Sequence, residues 1–323
     1  MEEDKLAIIT GGAGFLGSHL SELLIKKKWK VIIFDNFSDF YDPSIKWRNA
    51  VELENIGVKI VKGDILNGNF FSKLLKKTIN NSSVSPIIFH LAAQPGVSFC
   101  ETHSKEAQRV NVRGTFNVLK AIIENNYPKM IFASSSCAFG ESEYIPIDEK
   151  HPKNPISVYG KSKLAGEEII LDFKEKYPDF NFTIIRPFSA VGIRQRPDMA
   201  IHNFIKKIIL GEKIRIYGDG ESTRDWTHVK DIVNGFYLAS KNDKLKDEIF
   251  NIGFGKNLSL NYTIKVIANT LQKEAIVEYI NKNRFEIKHS CADINFAKER
   301  IGYKPKYQFF DAITEMITCQ KKK

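Results

Sequence analysis

The stretch that decides the fold is Thr10-Gly11-Gly12-Ala13-Gly14-Phe15-Leu16-Gly17. It follows the apolar run Leu6 to Ile9 and leads into a segment, to about residue 27, in which apolar residues recur three and four apart. Strand, glycine turn and helix form the context in which a glycine fingerprint carries meaning. Glycine permits the tight turn, brings the backbone close to a pyrophosphate and lets the helix pack on the strand, while the helix N-terminus offers unpaired N–H groups and a favourable dipole. Gly11, Gly14, Phe15, Leu16 and Gly17 are therefore candidate cofactor contacts. Asp35 ends the next apolar run, 18 residues past Gly17. A carboxylate there accepts both hydroxyls of an adenosine ribose and repels a 2′-phosphate, so NAD is expected rather than NADP. The alternative for Asp35 is a turn cap shared with Asn36.

Outward from this motif, short β-branched apolar runs alternate with longer segments of helical period, the pattern of a parallel sheet covered by helices. Strands are expected near 5–10, 30–34, 58–62, 86–91, 129–134 and 181–186, with helices at 15–27, 69–78, 105–125 and 157–176. After Arg186-Pro187 the rhythm breaks into a Gly- and Pro-punctuated region, 187–225, followed by a helix near 229–240 and a strand near 248–252. A helix at 259–272, a strand at 275–280 and a helix over 293–303 complete the reading. The fold class is α/β: a Rossmann-type doubly wound parallel sheet over 1–186, to which 226–255 returns, and a smaller α/β C-terminal lobe from 187–225 and 256–323. Asp64 and Ile65 follow the third strand, Leu91, Ala92 and Ala93 the fourth, and Pro187 the sixth. Carboxyl ends of strands are where open parallel sheets bind ligands, and the small Ala92 and Ala93 leave room for a cofactor, or alternatively for tight packing.

Tyr159-Gly160-Lys161-Ser162-Lys163 sets Tyr159 and Lys163 four apart, on one face of the expected helix. A phenol of ordinary pKa about 10 needs a shift of roughly three units, about 4 kcal/mol, to act as a base near neutrality. A neighbouring ammonium and a cationic nicotinamide ring together supply it. By itself the spacing also fits an exposed helix; the fingerprint upstream and the strand end Ser134-Ser135-Ser136 favour a reactive site.

Composition removes other classes. At 323 residues, 43% hydrophobic and 27% charged, the chain has enough apolar material for one large α/β unit and a smaller lobe. The segment with Glu2, Glu3 and Asp4 ahead of a short apolar run has the pattern of neither a secretory signal nor a transit peptide, so export is not expected. No apolar stretch nears the ~20 residues that span a bilayer. Cys100, Cys137, Cys291 and Cys319 lie far apart without a CxxC pair, so neither metal nor disulfides are expected and a reducing cytoplasm fits. The net charge of +10 comes from lysines spread in short clusters rather than an Arg-rich stripe with aromatics, which argues against nucleic acid.

Taken together, TGGAGFLG, Asp35-Asn36, Gly63-Asp64-Ile65, HLAAQPGV at 90–97, SSSCAFG at 134–140, YGKSK at 159–163 and GDGESTRDW at 218–226 resemble the nucleotide-sugar epimerase/dehydratase family of extended short-chain dehydrogenases/reductases, over nearly the whole chain. The resemblance implies that Ser135 helps Tyr159 activate a sugar hydroxyl, that Lys163 also holds the nicotinamide ribose and that Arg224 binds the substrate diphosphate; a surface ion pair with Asp225 is the other reading of Arg224. It also implies a homodimer through helices 105–125 and 157–176.

Dehydratases of the family carry Asp-Glu directly after the active-site Thr, and the xylose-forming decarboxylases a Glu at the second place; here Ser136 and Cys137 stand there, so acid-assisted loss of water lacks a proton donor. What remains is 4-epimerisation. Ser189 to Met199 and HLAAQPGV are similar to UDP-glucuronate 4-epimerases, in which the places of Ser189 and Arg196 contact the sugar carboxylate. The chain departs from that group at Ser98, where Arg is usual, at Ser189, where Thr is usual, and at Asn283-Arg284-Phe285-Glu286, where a nucleotide-ribose loop commonly ends in Gly-Asp. Arg284 is the candidate substrate contact of that loop. A UDP-glucose or N-acetylhexosamine 4-epimerase, a dehydratase or decarboxylase, and a non-catalytic NAD-binding module are the alternatives.

Overall fold

The computed structural model describes residues 5–241, 245–281 and 286–321. The first half alternates strand and helix: β1 (Leu6–Thr10), α1 (Phe15–Lys26), β2 (Lys30–Asp35), α2 (Pro43–Glu54), β3 (Lys59–Lys62), α3 (Gly68–Asn80) and β4 (Ile87–His90). Then come α4 (Val97–Thr102), α5 (Ser104–Gln108), a π turn at Arg109–Arg113, α6 (Gly114–Ile123), β5 (Met130–Ala133), α7 (Val158–Lys176) and β6 (Phe182–Pro187). The second half holds β7 (Ser189–Val191), α8 (Ala200–Leu210), β8 (Ile214–Tyr217), β9 (Thr223–Arg224), β10 (Trp226–His228), α9 (Val229–Lys241) and β11 (Glu248–Ile252). It ends with β12 (Leu258–Ser259), α10 (Leu260–Leu271), β13 (Val277–Ile280), α11 (Asn295–Ile301) and α12 (Phe309–Lys321).

Seven strands form one parallel sheet in the order β11-β6-β5-β4-β1-β2-β3. The order reverses at β1, where β2 and β4 leave to opposite sides, and such a switch point opens a crevice at the carboxyl ends of the strands. β1 explains why both faces are covered: Leu6 and Ile8 pack with Phe71, Val118, Ile122 and Ile170 of α3, α6 and α7, while Ala7 and Ile9 pack with Leu20, Leu24, Val233 and Phe236 of α1 and α9. A strand buried on both sides reads as a continuous apolar run rather than an alternating one. A third cluster, with Ile201, Ile205, Ile214, Ile264, Ile313 and Met316, unites α8, β8, α10 and α12 in the C-terminal lobe. No helix among the described residues is long and apolar enough to cross a membrane.

The structure departs from the sequence reading in five helical places. α2, α4, α8 and α12 were not expected, and the single helix over 105–125 is divided by the π turn. There, Asn111 Nδ2 donates to the Gln94 carbonyl (3.1 Å) and to Ser162 Oγ (2.8 Å), and its Oδ1 accepts from the Gln94 N–H (2.6 Å). An extra residue per turn re-aims a side chain inward, which is the usual reason for a π bulge. It ties the segment after β4 to the helix that carries Tyr159.

Candidate active site

A cavity of about 370 Å³ opens at the carboxyl ends of the strands. Its wall includes Gly11, Gly14, Phe15, Leu16, Gly17, Asp35, Asn36, Asp64, Ile65, Leu91, Ala92, Ala93 and Pro187 from the expected cofactor set. The same cavity is lined by Ser135, Ser136, Tyr159, Lys163, Ser189 and Arg196. Arg224 is not among the residues that line it, and Arg284 lies outside the described residues.

The dinucleotide end is built from backbone. Gly11 has φ +70, and a Cβ on it would stand 2.8 Å from the Ala92 backbone. At Gly17 a Cβ would lie 2.3 Å from the Gly11 carbonyl oxygen. Only bare backbone lets the β1–α1 turn sit this close to the segment after β4. Gly14 caps α1 without a side-chain bond to its N-terminus, leaving first-turn N–H groups available to an anion. Asp35 is buried; its Oδ2 accepts from the Ala13 N–H (3.0 Å) and its Oδ1 from the Phe37 N–H (2.8 Å). The carboxylate is thus a turn brace, yet its two oxygens retain acceptor capacity for ribose hydroxyls. Burial pushes its pKa up, opposed first by Lys46 and then by the two backbone donors. These residues fit a dinucleotide with free 2′- and 3′-hydroxyls.

The reacting end is carried by α7. Ser157 Oγ accepts from the Gly160 N–H (3.0 Å) and Glu101 Oε1 from the Val158 N–H (2.7 Å), so two side chains cap the helix just where Tyr159 projects. Tyr159 is raised above the usual phenol range, chiefly by burial and then by Cys137, with Arg196 and a hydrogen bond to Ser135 acting the other way. Ser135 Oγ accepts from the Cys137 N–H (3.1 Å), which leaves its hydroxyl hydrogen free to point away from that turn. Lys163 is pulled down to about 8 by burial, opposed by Glu167, and its Nζ sits 4.4 Å from the centre of the Phe132 ring.

Beneath this layer the chain buries an ion pair. Arg186 Nε and Nη2 donate to Glu167 Oε1 (2.9 Å) and Oε2 (2.6 Å), both side chains are 1% exposed, and the Ser134 hydroxyl donates to Oε1 as well. β6 is thereby joined to α7 one turn past Lys163. His90 forms a second brace: Nδ1 meets Thr10 Oγ1 at 2.7 Å and Nε2 meets Thr115 Oγ1 at 3.0 Å. Because the Thr115 hydroxyl donates to the Asn111 carbonyl (2.6 Å), the bond to His90 assigns the ring proton to Nε2. Burial first and Lys163 second hold His90 down to about 3, neutral at physiological pH.

Farther along the cavity wall, Arg196 lies over Phe40 and is paired with Asp198 through two bonds. Arg224 is not a surface partner of Asp225. Its Nη1 donates to the Thr223 carbonyl (2.9 Å), its Nη2 lies 3.6 Å from Glu286, and Glu286, Cys137 and Glu141 favour its charge against burial. Asp225 instead accepts from the N–H groups of Phe254, Gly255 and Ala292 and from the Thr227 hydroxyl, which ties the β9–β10 junction to the segments after β11 and before α11. Sequence reasoning missed Phe40, Tyr41 and Lys46, which line the cavity from the β2–α2 segment, and Gln94 to Val97 from the β4–α4 segment. The Asp42-Pro43 pair was the available signal: Asp42 accepts from the Ser44 N–H and Pro43 opens α2, placing Lys46 in its first turn. Among the described residues no cluster of three or more His, Cys, Asp or Glu is placed to hold a metal ion.

Residues 7–253 match the family described as NAD dependent epimerase/dehydratase. The chain belongs to this family. A putative UDP-glucose 4-epimerase from Methanocaldococcus jannaschii is 32% identical over 320 residues, 98% of each chain. The UDP-glucuronate 4-epimerase of Thermodesulfobacterium geofontis is also 32% identical, over 97% of this chain and 95% of that one. Among solved structures, UDP-glucuronic acid 4-epimerase from Bacillus cereus, in complex with UDP-glucuronic acid and NAD, superposes with a TM-score of 0.90 at 30% identity, covering 98% and 99% of the two chains. NAD is the cofactor of this family, and the protein is an isomerase of the epimerase kind.

Proposed function

We propose that the protein interconverts UDP-glucuronate and UDP-galacturonate by oxidising and re-reducing the sugar at C4. The observation that carries this reading is that one cavity joins Tyr159, Ser135 and Lys163 to Arg196 and Ser189, while Ser136 and Cys137 offer no carboxyl acid for dehydration.

Pyrophosphate would be held at the N-terminus of α1 by the turn Gly11 to Gly17, the adenosine ribose by Asp35, and the adenine end by Asn36, Asp64 and Ile65. Leu91, Ala92, Ala93 and Pro187 would flank the nicotinamide end, with Lys163 on its ribose. NAD, when bound, supplies an acceptor for the C4 hydride and returns it to the opposite face of the sugar. Tyr159 takes the O4 proton as the hydride leaves and gives it back as the hydride returns, with Ser135 orienting the hydroxyl. Burial makes Tyr159 a weak acid, so the base form depends on the ammonium of Lys163 one turn away and on the positive ring. Arg224 and Arg284 would bind the diphosphate and nucleotide.

The role of Arg196 follows from the intermediate. A 4-ketone beside the C5 carboxylate is a β-keto acid, which loses carbon dioxide when the C5–C6 bond aligns with the carbonyl π system. A guanidinium that grips the carboxylate holds it out of that alignment. Ser189 would share the same group. One observation favours a second reading, a neutral UDP-hexose: Asp198 already offsets the charge of Arg196. The two readings separate when purified protein is incubated with UDP-glucuronate or UDP-glucose and followed by proton NMR. The uronate reading expects a galacturonate anomeric signal and, for Arg196→Ala, a fall of about tenfold or more in the uronate-to-glucose activity ratio; an unchanged ratio refutes it.

The apolar Phe116 on α6 and Leu171 on α7, 44% and 40% exposed, support pairing of two copies through these helices, a homodimer. Four free cysteines, two of them buried, support a reducing compartment, the cytoplasm.

A further inference from the structure

A guanidinium has two bidentate edges, Nε with Nη2 and Nη1 with Nη2. In Arg196 the first is taken: Asp198 Oδ1 accepts from Nε at 2.9 Å and Oδ2 from Nη2 at 3.0 Å. A second contact comes from Phe40: the guanidinium carbon stands 5.9 Å from the centre of its ring, and Phe40 meets Phe99 edge-on at 4.8 Å. Gly96 keeps that wedge possible; a Cβ there would lie 2.9 Å from Phe40 and 3.6 Å from the Asp198 carboxylate. Pro197 between the pair removes one backbone rotation. Among the described residues the Nη1–Nη2 edge has no protein partner, and Arg196 lines the cavity together with Tyr159.

We infer that Asp198 is a positioning residue, which clamps one edge of Arg196 so that the other meets the sugar carboxylate end-on and in a fixed plane. This rests on the uronate reading above and deepens it. Because Asp198 offsets the charge, Arg196 contributes orientation more than attraction, and orientation is what guards the keto intermediate. The side reaction it prevents balances as follows. The hydride from C4 stays with the cofactor, the C5–C6 bond breaks, its electron pair enters the ketone as an enolate, and C5 takes up the proton released at O4. UDP-glucuronate and NAD⁺ thus become a UDP-4-ketopentose, carbon dioxide and NADH.

The test is the partition between epimer and leak in Asp198→Asn, which keeps shape and removes one of the two acceptors. The inference expects KM for UDP-glucuronate to stay level or fall, epimerisation to slow, and the fraction of turnovers ending in NADH and 4-ketopentose to rise by about tenfold or more, read by nicotinamide absorbance and NMR. Asp198→Glu, with its carboxylate retained, recovers part of the wild-type partition. A merely structural role slows turnover and leaves the partition alone, and that result overturns the inference. Should Asp198→Asn fail to fold, Arg196→Lys keeps the charge without a second edge; it must leak, and a leak-free Arg196→Lys equally overturns the inference. Wild-type protein that epimerises UDP-glucose but not UDP-glucuronate refutes the proposed function itself, whereas an active wild type with an unaltered Asp198→Asn partition refutes the inference alone.

Discussion

Glu167→Gln tests how the buried ion pair supports the reacting layer. Glu167 receives two bonds from Arg186 and one from Ser134, and its pair is 1% exposed on both sides. An amide in its place takes away the paired carboxylate and leaves the buried Arg186 cation in contact with neutral acceptors only, the new amide oxygen and the Glu149 carbonyl (3.3 Å). Breaking a buried pair from one side costs about 3–5 kcal/mol. An unfolding entropy of roughly 2.1 cal/mol/K per residue over 323 residues is ~0.7 kcal/mol per kelvin, so the melting temperature should fall by about 4–7 °C. Replacing both partners, Glu167→Met with Arg186→Leu, should recover most of that loss, since apolar groups carry no desolvation cost. The same substitution reaches catalysis. Glu167 is the influence that raises Lys163 against burial, which holds it at about 8, so its removal lowers Lys163 further. Lys163 must be charged to support the phenolate; it loses its proton as pH rises, so the alkaline limb of kcat/KM should move to lower pH in Glu167→Gln. Stability has the opposite sense: the unfolded chain binds the lysine proton up to about 10.4, so this group's contribution rises with pH from about 8 upward, and from a lower pH in the variant. Differential scanning calorimetry and a pH–rate profile are the assays. A variant that melts within a degree of wild type, with its alkaline limb unmoved, refutes the reasoning.

Three further outcomes follow from the same site. Tyr159→Phe should lower turnover of the nucleotide sugar by about 10²–10⁴-fold while NAD binding, followed by fluorescence titration, persists; half of wild-type turnover would remove Tyr159 from its role. Asp35→Asn keeps one acceptor and adds a donor, so NAD affinity should drop by about tenfold and discrimination against NADP should shrink; unchanged cofactor preference in competition titrations counts against the ribose contact. In Gly17→Ala the new methyl meets the Gly11 carbonyl at 2.3 Å and the Gly12 Cα at 2.7 Å. The turn must open, so NAD binding and the melting temperature should fall together, and retention of both would show that the turn is looser than described.

What was legible in the sequence was what short range determines. The glycine fingerprint, Asp35 and the Tyr159–Lys163 spacing each depend on residues within one turn or one strand, and the structure brings all of them to one cavity. α8 and α12 were legible too and were missed: Ile201, Phe204, Ile205 and Ile208, and likewise Phe309, Ala312, Ile313, Met316 and Ile317, repeat at three and four and are buried. β9 and β12, two residues each, and the three-residue β7 and β10 have no pattern of their own, because their partners across the lobe define them.

The residues that no local pattern announces are those whose chemistry is set by a partner far along the chain. Asn111 is 51 residues from Ser162, and its capture of both Gln94 and Ser162 is what turns a helical stretch into a π turn. Arg186 reads in sequence as the end of a strand, and only the packing of α7 on the sheet, which closes the 19 positions to Glu167, makes it the buried partner of the carboxylate that acts on Lys163. Arg224 beside Asp225 looks like a surface pair until the lobe closes and four donors converge on Asp225 from elsewhere, freeing the arginine to face Cys137 and Glu286. In each case the partner that matters is supplied by the fold rather than by the adjacent residue. The candidate residues that line the cavity could thus be read from the chain, whereas the groups that brace them and shift their acidity needed the tertiary structure.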